Sequence, residues 1–257
     1  MIRLKTKDDI ERLRKSGALL AGVLEEIKQN ALPGVSLADL DRIAEEYIKK
    51  AGAKPAFLGY VPEGAQEPYP ASLCASLNDV VVHGIPSAYT LREGDVLSID
   101  LGVDLEGFIT DAAITIGVGK IAREHQELIT TAERALEAAI TVCVPGNHLG
   151  DIGFAIENKV RTAGFSVVQG LTGHGVGFKL HEDPVVYNYG TQKTGLELQP
   201  GLVLALEPMI SAGSGLIEEM KDGSFKTKDE SVTAHVEHTV AVTNEGPVVL
   251  TRRSELN

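Results

Sequence analysis

Leu13, Gly17, Leu20, Leu24 and Ile27 recur at alternating spacings of four and three, the pattern that lays one apolar stripe along an α-helix. Ahead of the stripe, Thr6 with Asp9 resembles a capping box, and after it Pro33-Gly34 stops the helix. Leu37, Leu40, Ile43, Ala44, Tyr47 and Ile48 draw a second stripe from about Leu37 to Lys50, which closes on Gly52. The chain therefore opens with a helical hairpin.

That opening recurs. Pro33-Gly34-Val35-Ser36-Leu37-Ala38-Asp39-Leu40 lies over Pro145-Gly146-Asn147-His148-Leu149-Gly150-Asp151-Ile152, and the register holds to Ala51-Gly52 against Ala163-Gly164. A second helix pair is expected over about Ala122 to Cys143 and Leu149 to Ala163. The strand-like runs repeat as well: Gly94-Asp95-Val96-Leu97-Ser98-Ile99-Asp100 matches Gly201-Leu202-Val203-Leu204-Ala205-Leu206-Glu207, so each run is expected to end on a carboxylate. Asp111-Ala112-Ala113-Ile114-Thr115-Ile116 lies over Glu237-His238-Thr239-Val240-Ala241-Val242, in each case an acid followed by β-branched alternation. The expectation is an α/β (α+β) chain of one domain, 1–257, whose pseudo-twofold duplicated halves span about 6–120 and 121–250. Helices would cover a curved, mainly antiparallel sheet, and the four acids would meet where the halves join.

Composition narrows what such a protein does. With 257 residues and 43% hydrophobic content there is enough chain for a sizeable core. A net charge of -12 argues against nucleic acid as the main ligand, because that binding is carried by clustered Lys and Arg. Neutral substrates, or substrates with a positive end, suit it better. Two cysteines, Cys74 and Cys143, are too few for a disulfide framework or a paired zinc motif. The charged segment Met1 to Gly17 lacks the apolar run of a signal peptide, and no stretch reaches the roughly 20 apolar residues of a membrane span. A cytoplasmic protein is expected.

Four carboxylates brought together repel unless neutralised, and a divalent cation is the ordinary neutraliser. Asp100 and Asp111 are joined through Gly102 and Glu106-Gly107, a pair that reads as a hairpin turn, so both can project to one point. His174 adds an imidazole, which widens the choice of metal from Mg, Mn or Ca toward Fe, Co, Zn and Ni. Its run, Thr172-Gly173-His174-Gly175-Val176-Gly177, does not open a helix and so is no dinucleotide loop. His83 ends a β-branched run at a turn, where structural histidines are also common. His125, His148, His235 and His238 read as ordinary histidines, His238 pointing to the strand face opposite Glu237.

Gly173-His174-Gly175-Val176-Gly177 with His181-Glu182, and Cys74, Ser76, Asn78-Asp79, Val81 and His83-Gly84-Ile85-Pro86 upstream, resemble the signatures of type I methionine aminopeptidases. Glu207-Pro208 and Val236-Glu237-His238-Thr239 match as well, so the resemblance runs from the first helix to Val242. It implies the pita-bread fold and two divalent metal ions (Co, Mn, Fe, Zn or Ni) held by Asp100, Asp111, His174, Glu207 and Glu237. Asp111 and Glu237 would bridge the metals, His174 and Glu207 would serve one, and Asp100 would chelate the other. By the same resemblance, water activated between the metals attacks the scissile amide with Glu207 as general base, His181 donates to the carbonyl oxygen, and His83 assists at the scissile nitrogen.

Tyr60, Cys74 and Phe57 occupy positions resembling the family's methionine pocket, and Leu180 reads as core. The implied partner is the N-terminus of a peptide or nascent chain with a small second residue. Transient ribosome association and a monomeric state are further expectations, with no nucleic-acid motif and no membrane. An X-Pro peptidase and a non-catalytic binding protein of the same fold are the alternatives. The chain departs from the family's pattern in a Pro-rich loop, 62–70, and in having no tryptophan, where relatives carry one just before the segment matching Lys226-Thr227-Lys228-Asp229.

Overall fold

The computed structural model describes residues 2–61 and 67–252, so the first part of the Pro-rich loop, 62–66, lies outside the described residues. In the first half, α1 (Lys7–Asn30) and α2 (Leu37–Lys50) precede β1 (Lys54–Pro55), β2 (Cys74–Leu77), β3 (Val80–Val82), β4 (Val96–Leu105) and β5 (Phe108–Gly117). The second half repeats the plan with α3 (Arg123–Val142) and α4 (Leu149–Thr162), followed by β6 (Ser166–Val167), β7 (Thr172–Gly175), β8 (Glu182–Tyr187) and β9 (Val203–Leu206). An excursion through β10 (Met209–Ser211), β11 (Ile217–Glu219), β12 (Phe225–Thr227) and β13 (Thr233–His235) then leads to β14 (His238–Thr243) and β15 (Gly246–Val249).

The helices lie where the apolar stripes put them. The α1 stripe is buried, and the Thr6 side chain accepts from the Asp9 N–H at 3.2 Å while the Thr6 N–H donates to Asp9 Oδ2 at 2.8 Å. Replacing Thr6 with Ala removes that cap, and the expected result is a loss of about 1 kcal/mol. A lower urea midpoint at unchanged slope for the metal-free protein is the check. Helix α1 also ties the halves together: Ser16 Oγ donates to the Val103 carbonyl at 2.9 Å, and a Cβ on Gly17 would stand 2.2 Å from the Leu250 carbonyl oxygen. Only glycine permits that approach of helix to C-terminal backbone.

In the first half β4 pairs with β1 and β2 along one edge and with β5 along the other, all antiparallel. Its hairpin with β5 turns at Glu106 and Gly107, both with positive φ (55° and 84°). In the second half β9 and β14 take the corresponding places within a five-stranded sheet ordered β15-β14-β9-β7-β8. Here the repeat is looser, because the β10–β13 excursion replaces the tight turn. One buried apolar cluster joins α1 and α2 to the first sheet and another joins α3 and α4 to the second; Ile10, Leu13, Val176, Val203, Ala205 and Ala241 fill the space between.

The acids of the first half do not end their strand. Asp100 is in the middle of β4, and Asp111 is the fourth residue of β5, because Leu101 and Val103 continue the buried alternation beyond the repeated run. In the second half Glu207 follows the last residue of β9 and Glu237 precedes the first of β14, flanking the Leu206–His238 pair. Asp111 is paired with Gly102, two residues along from Asp100. Because side chains alternate with a period of two, both arrangements keep each pair of acids on one face.

Candidate metal centre

The halves are sewn together at the acids themselves. The Glu237 N–H donates to the Ala113 carbonyl at 2.9 Å, and the Ala113 N–H returns a bond to the Glu237 carbonyl at 3.4 Å. Thr239 Oγ1 accepts from the Asp111 N–H at 2.9 Å and donates to the Asp111 carbonyl at 2.7 Å. Asn188, fully buried, donates to the Glu207 carbonyl at 2.9 Å. The backbones of three of the four acids are thereby fixed before any ligand arrives.

One carboxylate oxygen each of Asp111 and Glu237 and a ring nitrogen of His174 all lie within 4.8 Å of one another. His174 Nε2 is 3.5 Å from Glu207 Oε1 and 3.9 Å from Asp111 Oδ2. The other ring nitrogen, Nδ1, lies 2.9 Å from the Gly175 carbonyl oxygen. Only an N–H satisfies that acceptor, so the Nε2 lone pair faces the acids. The flanking glycines permit this placement: a Cβ on Gly173 would stand 2.4 Å from the Ala205 carbonyl oxygen. Strand β7, which carries His174 opposite Ala205, thus presses against β9.

Burial dominates the electrostatics. It pushes the Asp111 carboxyl up to about 8, with the Glu207 charge as second cause. Asp100 is driven well above the usual carboxylate range by burial and then by the charges of Asp111 and Glu207; Glu207 and Glu237 are raised as well, burial again coming first. His174 is pushed down to about 4, chiefly by burial, and is neutral at physiological pH, as a metal-ligating imidazole must be. Asp100 Oδ1, Asp111 Oδ1 and Glu237 Oε1 are buried without a hydrogen-bond partner. Orphaned acid oxygens around a neutral imidazole fit divalent cations, and first-row ions suit this mixed oxygen and nitrogen donor set.

Above the acids stand the other expected residues. His181, on the loop leading into β8, packs its ring edge-on to His174 with centroids 4.4 Å apart and holds the Tyr60 hydroxyl 2.7 Å from its Nδ1. Crowding by protein and then the His174 and His83 rings hold its pKa below the ordinary histidine value. His83 takes a left-handed conformation, φ 61°, at the end of β3, and its ring stands 5.8 Å from that of Phe225. Phe225 therefore reaches the rim in this tryptophan-free chain. Phe57 and Cys74 are buried in one cluster with Leu180, and Cys74 is the cross-strand partner of Asp100. Phe57 and Leu180 both close on Gly102, where an added Cβ would be 3.2 and 3.3 Å from them. Together these side chains make an apolar wall beside Asp100.

One neighbour escapes the reading of the sequence. His235 is buried, its Nε2 lies 3.3 Å from Glu207 Oε2, and neither ring nitrogen has a hydrogen-bond partner. The signal is present: His235 is two residues before Glu237, which on an extended chain means the same face. His238, one residue after, bonds Thr251 Oγ1 at 2.9 Å on the far side, as alternation requires.

Buried acids with a neutral imidazole at the junction of two like halves suit a divalent-metal centre, and the match of Metallopeptidase family M24 to residues 11–244 makes the chain a metal-dependent hydrolase. A methionine aminopeptidase from Aquifex aeolicus is 45% identical over 97% of this chain and 98% of its own. The crystal structure of the methionine aminopeptidase from Thermotoga maritima superposes with a TM-score of 0.93 at 40% identity, covering 98% of this chain and all of that one. A prolidase from Pyrococcus furiosus shares the fold alone, at 21% identity and TM-score 0.76, with 66% of that chain covered. The chain belongs to the methionine aminopeptidases of the M24 metallopeptidases, a divalent-metal hydrolase of pita-bread fold. No helix among the described residues is long and apolar enough to cross a membrane.

Proposed function

We infer that this enzyme removes the initiator methionine from nascent proteins and peptides with a small second residue, using two divalent ions held by Asp100, Asp111, His174, Glu207 and Glu237. The observation that carries the reading is the buried set of acid oxygens without hydrogen-bond partners, which divalent cations relieve without the acids having to take up protons. Bound there, a metal pair supplies Lewis-acid polarisation of a carbonyl and lowers the pKa of a water.

The protein's own groups do the rest. Glu207, whose carboxyl burial raises, accepts the proton of the attacking water. Tyr60 fixes His181 through Nδ1: its hydroxyl donates there, leaving the Nε2–H to donate to the carbonyl oxygen as negative charge grows. His83 assists at the scissile nitrogen. Phe57 and Cys74 receive the methionine side chain, with Tyr60 at the edge, and exclude water from it. Replacing Tyr60 with Phe removes one hydrogen bond to a positioned imidazole, and a fall in kcat of about tenfold is expected. Steady-state assay at fixed metal loading checks it.

The whole chain, 1–257, acts as one catalytic unit of two halves in the cytoplasm, as a monomer that engages the ribosome only transiently. Assay of Mn-, Fe- and Co-reconstituted enzyme on Met-X-Y peptides, with X from Gly to Leu and X-Pro peptides alongside, tests the reading. Cleavage that falls as X grows supports it. Cleavage of X-Pro peptides alone transfers the chain to the prolidase class, and no cleavage with no metal uptake makes it a binding protein.

A further inference from the structure

The loop that carries His181 is fixed from a distant part of the chain. Lys5 lies in the segment before α1, where its backbone N–H donates to the Gly201 carbonyl at 2.7 Å. Its side chain turns inward, 2% exposed, and places Nζ 2.7 Å from Glu182 Oε2. The second oxygen of that carboxylate, Oε1, accepts the backbone N–H groups of Phe178 at 2.6 Å and Lys179 at 2.9 Å. One acid thus folds residues 178–182 back on themselves.

Two further contacts press the N-terminal segment onto the same loop. The Lys5 stem runs so close that a Cβ on Gly177 would be 2.6 Å from its Cε, and the Arg3 guanidinium stacks 3.8 Å above the Phe178 ring. From its other side the loop is held by the Ile109 N–H, which donates to the Gly177 carbonyl at 2.7 Å. His181 immediately precedes Glu182, and its ring reaches both His174 and the Tyr60 hydroxyl.

We propose that Lys5 and Glu182 are positioning residues for His181, a partly buried ion-pair clamp that sets where its imidazole stands over the metal centre. The proposal rests on His181 acting as the hydrogen-bond donor described above. A carboxylate with two backbone N–H bonds is held most firmly in this partly buried place while its charge is paired. Without the Lys5 ammonium, Glu182 turns to water, the Phe178 and Lys179 N–H groups are released, and the loop relaxes. Misplacement of a reacting group by about 1 Å can cost 10²-fold in rate.

The test is a double-mutant cycle on Mn-loaded enzyme with a Met-Ala-Ser peptide, combined with amide exchange. Lys5→Met keeps the stem and removes the charge. It is expected to lower kcat by about 10- to 100-fold at unchanged metal stoichiometry, and to speed exchange at Phe178 and Lys179 without changing the rest of the core. In a His181→Ala background the same substitution is expected to cost less than about twofold. Adding Glu182→Gln to Lys5→Met removes the orphaned charge while retaining an acceptor, and restores part of the lost activity. Unchanged kcat in Lys5→Met, or an equal loss with and without His181, overturns the clamp. If His181→Ala alone leaves kcat intact, the role of His181 fails first and the clamp falls with it. Should Lys5→Met not fold, Glu182→Gln alone is carried through the same cycle: a loss of kcat that depends on His181 supports the clamp, and unchanged kcat or a loss independent of His181 overturns it.

Discussion

Asp111→Asn loses metal and activity yet yields a metal-free protein more stable than the wild type at pH 8. The two effects share a cause. Asp111 faces His174 and lies in the field of Glu207, and burial is the larger reason its carboxyl is pushed up to about 8. A neutral amide is a much weaker ligand for a divalent cation than a carboxylate. Metal affinity is expected to fall by more than about a hundredfold, beyond the 10–100-fold typical of changes one layer further out. Turnover falls by about 10³ or more, because a Lewis-acid contribution of several kcal/mol goes with the metal.

The stability gain follows from proton linkage. In the unfolded chain an Asp titrates near 3.9, so between about pH 4 and 8 the folded, metal-free protein holds a proton that the unfolded chain has released. The contribution of this group to stability therefore declines as pH rises through that window. Asn neither titrates nor repels its neighbours. The difference in Tm between variant and wild type should be largest near pH 8 and shrink toward pH 4, as calorimetry of chelated samples will show. With metal present the order reverses, since the wild type alone is stabilised by binding.

His181→Ala gives the opposite dissociation, with metal retained and chemistry lost. The imidazole packs on the His174 ring but is not in the cluster of Asp111, His174 and Glu237 ligand atoms, and Tyr60 leaves its Nε2–H free to donate. Removing a donor to a developing oxyanion costs about 10²–10³ in kcat. Metal stoichiometry by isothermal titration should stay at the wild-type value while kcat collapses and KM changes little. Loss of metal from this variant would instead place His181 among the ligands.

Much of this is legible in the chain because the information is local or repeated. Thr6 with Asp9, and the stripes from Leu13 to Ile27 and Leu37 to Ile48, depend on neighbours within a turn or two. The duplication carries the acids, since Asp100 and Glu207 mark equivalent places in two similar runs. The strand ends are harder. The repeat stops at Asp100 and so puts it at a terminus, whereas β4 continues to Leu105 into a hairpin that the second half lacks. Single contacts across long separations leave no trace: Lys5 and Glu182 are 177 residues apart, and nothing near either names the other. His235 is missed for a simpler reason. Its same-face relation to Glu237 runs two residues backward, outside the run that matches the repeat.

The bonds that link Ala113 to Glu237 and Asp111 to Thr239 also constrain how the enzyme moves. Many hydrolases with a site between two lobes admit substrate by swinging the lobes apart. Here such a swing would tear the backbones of the acids from one another and scatter the centre it was meant to expose. These bonds oppose separation of the halves, whereas His83, Phe225, Tyr60 and His181 stand on short loops and strand ends. Gating by side chains and loop tips, on the faster timescale of such motions, is the expectation that follows.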